Sequence, residues 1–202
     1  MMHQSILVLA SLMCTVVAHA QEPICNESTP TNKAEYAAQL ACQEHQLWRE
    51  PFINRQGALL KIGPMEAERD ALADGTPAWR RVLHYWLNSV GQNDLFRGQS
   101  VPEDSDSRLN DALTRTQIID TPWSGAFISY IMRSAGFSEE EFHFADGDIR
   151  YIKPAYQTTL GLTNSAFEWR NPQMTPLQVG DLLCYVREGR RVFGAKGFEQ
   201  WL

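Results

Sequence analysis

The stretch Asp120-Thr-Pro-Trp-Ser-Gly-Ala-Phe-Ile-Ser-Tyr-Ile-Met-Arg-Ser-Ala-Gly136 holds a helix start, an apolar body and a helix stop in succession. Thr121-Pro122 pairs an N-cap with proline at the first helical position, and Gly136 ends the segment. On that reading Ser124 is the third residue of the helix, where unpaired backbone N–H groups and the positive end of the helix dipole converge. The place suits a nucleophile, because a developing oxyanion meets donors there. A serine hydroxyl stays protonated, so it also needs a base. The glycine two residues before the serine that marks a nucleophile elbow is missing, which excludes an α/β-hydrolase.

Working outward, Trp79, Val82, Leu83, Trp86, Leu87 and Val90 form one apolar stripe at helical spacing, opened by Thr76-Pro77 and stopped by Gly91. His84 projects off that stripe and reads as solvated. Thr31 to Trp48 reads as a first helix with Tyr36, Leu40 and Leu47 on one face. Phe52-Ile53 and Leu59-Leu60 flank Arg55-Gln56-Gly57, a hairpin pattern. Met65–Ala73 and Arg108–Gln117 read as short helices, and residues 92–107 as a loop. Beyond Gly136, Ser138 with Glu141 makes a capping box, and Asp146 or Asp148 caps a helix through Tyr156. Strand character comes late, in Phe167–Trp169, Leu182–Val186 and Arg191–Phe193. Helices first and strands last predict an α+β fold.

Composition narrows the function. The 202-residue chain has a net charge of −6 and is 44% hydrophobic, which excludes wholesale disorder. An acidic chain with no basic block is a poor partner for nucleic acid or an anionic membrane surface. Ile6 to Val17 is a short apolar run ending in Ala18-His19-Ala20, a signal-peptidase pattern. No later run approaches the ~20 residues of a membrane span. The expectation is an exported protein, periplasmic or secreted, with one domain of roughly 180 residues after its leader. Export allows Cys25 and Cys42 to pair as a disulfide, with two unpaired thiols as the alternative. Cys184 reads as a small buried hydrophobe. Asp146-Gly-Asp148 lacks the further carboxylates of a calcium loop. His45, beside Glu44, has no ligand at metal spacing, so no metal or cofactor is expected.

Pro122-Trp-Ser-Gly-Ala-Phe-Ile128 resembles the Pro-Trp-Cys-small-small-Phe-Val helix of papain-like cell-wall hydrolases, the NlpC-type and CHAP-type peptidoglycan peptidases and amidases. Pro176-Leu-Gln-Val-Gly-Asp-Leu-Leu-Cys-Tyr185 resembles their Pro-x-x-Gly-Asp-Leu-Val strand. From about Ala41 to Arg187 the chain is similar to the bacterial domain-of-unknown-function family twenty-two seventy-two. The residues that carry this are Phe52-Ile53 before Gly57, Gly63-Pro-Met-Glu-Ala-Glu68, Trp79–Trp86, Trp123-Ser-Gly-Ala-Phe-Ile-Ser129 and Gly180-Asp181. The resemblance implies a papain-like fold, helices packed on a small antiparallel sheet, with Ser124 in the nucleophile's place. It also implies a general-base histidine on a strand after Gly180-Asp181, yet no histidine follows His143. The expected sheet is therefore incomplete, with an open edge, and the C-terminal part of the domain is expected to be missing. The expected division is 1–20 signal peptide, 21–50 lead-in and helix, and 51–202 NlpC/CHAP-like domain.

Three functions follow from these residues. The first is an amide hydrolase of peptidoglycan or a cell-envelope peptide, with Ser124 as nucleophile, His143 as candidate base, and Trp123, Tyr151 and Trp169 as binding aromatics. The second is a non-catalytic cell-envelope binding module on the same scaffold, favoured by the loss of both cysteine and histidine. The third is a periplasmic protein unrelated to hydrolases.

Overall fold

Asn32 opens the first helix: its side chain accepts the N–H of Glu35, satisfying one of the donors a helix start leaves free. The computed structural model of the protein describes residues 25, 29–54, 56, 58–66, 70–90, 95, 107–184 and 194–202. In order these form α1 (Lys33–Leu47), β1 (Phe52–Ile53), β2 (Leu59–Lys61), α2 (Ala78–Leu87), α3 (Ser107–Asp120), α4 (Ser124–Ser134), α5 (Ile149–Thr159) and α6 (Gly194–Trp201). The architecture is α+β, mixed helices with one small antiparallel sheet. That sheet is the early hairpin, with Phe52 opposite Lys61 and Ile53 opposite Leu59. Among the described residues no helix is long and apolar enough to cross a membrane.

The core has two halves joined by α4. Trp79, Val82, Tyr85 and Trp86 of α2 pack with Trp48, Leu72, Leu95, Ile118 and Ala126. Ile131 and Met132, one turn along α4, pack instead with Ala37, Phe137, Phe142, Phe144 and Tyr151. Phe127 and Tyr130 of α4 touch both halves. An apolar α4 can serve two clusters because residues three and four apart share a face while the others turn to the opposite side. Cys25 and Cys42 are joined by a disulfide, Cα–Cα 5.5 Å, fastening the lead-in to the third turn of α1.

Several local expectations are corrected. The late strands do not form among the described residues, which include Phe167–Trp169 and Leu182–Cys184 but not 185–193. Trp169 N–H donates to Ala155 O at 3.2 Å and to Thr159 Oγ1 at 2.8 Å, so α5 takes the donor a sheet would need there. Among the described residues of Met65–Ala73, which leave out 67–69, none is helical. Leu72 N–H bonds Thr76 O and Ala73 N–H bonds Leu47 O, ties that replace helical i−4 partners. Helix α2 stops at Leu87, short of Gly91: Asn88 N–H still bonds the His84 carbonyl, but the Ser89 hydroxyl takes the Tyr85 carbonyl at 2.6 Å while Ser89 N–H turns to Trp86 O at 3.4 Å. Its buried face centres on Tyr85 and Trp86, and Leu87 is exposed. Tyr36 is likewise exposed, and Glu44 is buried in its stead on the inner face of α1.

Candidate functional site

Ser124 is the first residue of α4, not the third. Thr121 does not cap the helix: its hydroxyl accepts from Gln117 Nε2 at 3.1 Å and is buried at the end of α3. Trp123 occupies the cap position without a side-chain cap bond. Ser124 itself is exposed, while Gly125 and Ala126 behind it are buried. The first-turn donors are therefore largely covered, and the hydroxyl is the polar group that this end presents.

The segment after Phe144 covers them. Ser129, fully buried, donates its hydroxyl to Ala145 O at 2.8 Å and accepts Ala145 N–H at 2.9 Å. One turn earlier, Gly125 lets the same segment lie flat on the helix. A Cβ there would stand 2.3 Å from Asp146 O, which no contact allows. The Gly-Ala-Phe-Ile-Ser spacing thus puts a missing side chain and a hydrogen-bonding side chain four apart on one face. This docking delivers Asp148 to Ser124.

Asp148 does not cap α5 through its side chain. Its Oδ2 accepts the Ser124 hydroxyl at 3.3 Å, and its Oδ1 accepts the Tyr151 hydroxyl in a short hydrogen bond. Burial and the bond to Asp148 push the Tyr151 hydroxyl far above the usual phenol range, so it remains a donor. Cys184 lies within electrostatic range of this pair; burial, then Asp148, push its thiol up. It is thereby kept as a thiol, and the thiolate is the nucleophilic form.

The other candidates lie elsewhere. His143 is exposed and pairs through Nδ1 with Glu139 at 3.2 Å; no bond joins it to Ser124. His45 Nε2 bonds Pro51 O at 3.0 Å. His84 is not solvated as expected but meets the Tyr130 ring edge-on at 5.2 Å between centroids. Trp123 is stacked on Trp48 and on Tyr85, at 5.4 and 5.8 Å. Trp169 lies flat against Phe198 at 5.0 Å and donates to Glu199 Oε1. Of the named residues, the structure brings together Ser124 and Tyr151, through Asp148. Asp146 is likewise no cap; it pairs with Arg150. Among the described residues no three His, Cys, Asp or Glu side chains converge as a metal site.

Sequence reasoning missed a buried polar network beside Trp123. Glu44 of α1 is 6% exposed. It accepts Arg81 Nε at 3.1 Å, a second short bond from Arg81 Nη2, and a short bond from the Tyr85 hydroxyl. Trp48 Nε1 donates to that hydroxyl at 2.7 Å, and Arg81 reaches Tyr130 at 3.4 Å. Burial opposes the Arg81 charge, but the Glu44 carboxylate overcomes it and holds the guanidinium protonated. Burial and Glu44 together keep Tyr85 neutral. The signal was there: Glu44 lies between Leu40 and Leu47 on an apolar face, and Arg81 adjoins Val82 and Tyr85 on another.

The profile of a bacterial family described as "Uncharacterized protein conserved in bacteria (DUF2272)" matches residues 73–197, more than half of the chain and including α2 to α5. No curated protein and no solved structure matches it.

Proposed function

We propose, from the premise that the chain belongs to the bacterial family DUF2272, that it is an exported, non-catalytic cell-envelope binding module on an NlpC/CHAP-like scaffold. The observation that carries this reading is the partner of Ser124: a carboxylate at 3.3 Å, with no imidazole bonded to the hydroxyl. An aspartate with an ordinary pKa of about 3.9 is a far weaker base than a histidine at about 6.5. One oxygen of Asp148 is already taken by the Tyr151 hydroxyl. A hydroxyl, a carboxylate and covered backbone donors make a recognition surface rather than an activated nucleophile. Export is supported by the apolar leader ending at Ala20, and the Cys25–Cys42 disulfide suits an oxidising compartment. The partner is peptidoglycan or a cell-envelope peptide, as the likeness to papain-like cell-wall hydrolases suggests.

A second reading, the amide hydrolase, draws on the exposed position of Ser124 at the start of α4. One experiment separates the two. The purified protein is incubated with insoluble peptidoglycan, and pelleted protein and newly released amine are both measured. We expect co-sedimentation without release, reduced in Ser124→Ala, which removes the hydroxyl of the recognition surface. Release that the folded Ser124→Ala variant abolishes would favour the hydrolase. Absence of the protein from the pellet removes the cell wall as its target.

A further inference from the structure

We propose that a polar cleft at the far end of α4 from Ser124 binds a zwitterionic amino acid or the paired charges of a short peptide. The cleft, about 210 Å³, lies between the end of α2, the last turn of α4, the Glu139–Asp146 segment and the first turn of α5. At roughly 30 Å³ per water it has room for about seven waters, or a ligand of one or two residues. Two cations, Arg133 and Arg150, and two anions, Glu139 and Asp146, line it.

These four charges are incompletely used. Arg133 meets Glu139 at 3.8 Å and Arg150 meets Asp146 at 3.7 Å, the longest ion pairs among the described residues. Both exceed hydrogen-bonding distance, so each guanidinium keeps N–H donors and each carboxylate keeps lone pairs to offer, Glu139 chiefly on Oε2 because its Oε1 meets His143 Nδ1 at 3.2 Å. All four side chains keep more than a third of their surface exposed. Arg133 is nevertheless held in place, its guanidinium lying 4.0 Å from the centroid of the buried Phe144 ring. A guanidinium seated over a ring keeps N–H donors directed away from it, and a guanidinium can take a carboxylate in two parallel bonds.

The balance of charges selects the ligand. An anion alone would meet Glu139 and Asp146 as like charges, and a cation alone would meet the two arginines. A neutral sugar would cover charges without pairing them. A group with a carboxylate and an ammonium satisfies both signs at once. The inference names a ligand class for the envelope-binding reading but does not depend on it, because its test uses soluble peptides and no cell wall.

The test is a calorimetric or NMR titration of the full chain with glycylglycine, N-acetyl-glycylglycine and glycylglycine amide at low salt. We expect saturable binding of the zwitterion and at least tenfold weaker binding of each blocked form. Arg150→Gln and Glu139→Gln, both at exposed positions, should each weaken glycylglycine at least tenfold with the circular dichroism spectrum unchanged. Equal binding of the three peptides, no saturable binding of glycylglycine at millimolar concentration, or indifference to both substitutions would overturn the proposal. Loss of peptidoglycan binding with glycylglycine binding intact would count against the envelope reading alone.

Discussion

Glu44 is a carboxylate on an inner helix face, and three donor groups from Arg81 and Tyr85 of α2 hold it there. Removing one member of a buried ion pair strands the other, at a cost of roughly 3–5 kcal/mol. Arg81 retains some solvent contact, with 23% of its side chain exposed. Glu44→Leu is therefore expected to lose about 3 kcal/mol in urea denaturation, at the low end of that range. Adding Arg81→Leu should restore part of the loss, since a matched apolar pair leaves no charge unpaired. A double variant as destabilised as the two single losses combined would show the network is not a unit. His84, on the same helix, gives a pH signature. Burial, then the Arg81 charge, push its pKa below the ordinary 6.5, with Glu44 opposing and Tyr130 packed against the ring. The unfolded chain then binds more protons just below pH 6.5, so stability falls as pH drops from there. Glu35, Asp74, Glu140 and Glu141 are shifted down by donors from Thr31, Thr76, Ser138 and Lys33 respectively. Their stabilisation is lost only below their ordinary 4.5 or 3.8. The loss of Tm between pH 6.5 and 4.5 should consequently flatten in His84→Gln, while the steeper acid limb persists. An unchanged slope in that window would remove His84 as its cause.

At the scale of elements, the contact that matters most to the site is α4 against the 145–148 segment. Gly125→Ala puts a Cβ where Asp146 O already stands, so backbone must move. Overpacking of this kind costs about 1–3 kcal/mol, and here it should also free Asp148 from Ser124. Ser129→Ala leaves the buried Ala145 N–H without its acceptor, a loss of about 1–3 kcal/mol. Amide hydrogen exchange at Ala145 reads both variants: faster exchange is expected, and native protection in either would show that the segment is held by something else. These residues were in the sequence, within the motif that decided the fold, but their partners lie sixteen and twenty-one positions away and spacing does not reveal such pairs. The hairpin, α1, α2, α3 and the span of α4 were legible because periodicity and turn residues are local signals. The late strands were misread for a physical reason. Residues 166–169 and 182–184 do alternate between more and less covered positions, as a strand would. Phe167 packs on Phe137 and Phe142, and Leu182 joins the same cluster, so alternation reported which side faces the core. Trp169 N–H goes to Ala155 O and Thr159 Oγ1 on α5, and Ala166 N–H to Glu141 O, tertiary partners that periodicity does not encode. The start of α4 was misjudged similarly, since Gln117 claims the Thr121 hydroxyl that a cap would use.

Across the whole molecule, α1 acts as the clasp between the two halves of the core. Ala37 packs in the half around Phe142, while Glu44 and the following Trp48 reach the half around Tyr85. Lys33 pairs with Glu141 at 2.6 Å, fixing its first turn to the region after α4. The Gly180 turn seats on the same end. Its φ of +95° and the 2.7 Å that would separate an added Cβ from Ala34 both require glycine. The Gly180-Asp181 turn read from the sequence is thus a turn packed on α1. Because α1 joins segments distant in sequence, whatever restrains the chain around it should show in global stability. The Cys25–Cys42 disulfide closes a loop with a sequence separation of 17. Restricting an unfolded loop of this length is worth about 3 kcal/mol in the chain-entropy account. Denaturation with and without reductant should therefore differ by about that amount, and Cys25→Ser should reproduce the reduced protein. Since the bond acts mainly on the unfolded chain, hydrogen-exchange protection of Ala145 relative to global stability should stay unchanged. Equal stability in both redox states would mean that contacts within the folded chain, rather than the crosslink, hold α1 in place.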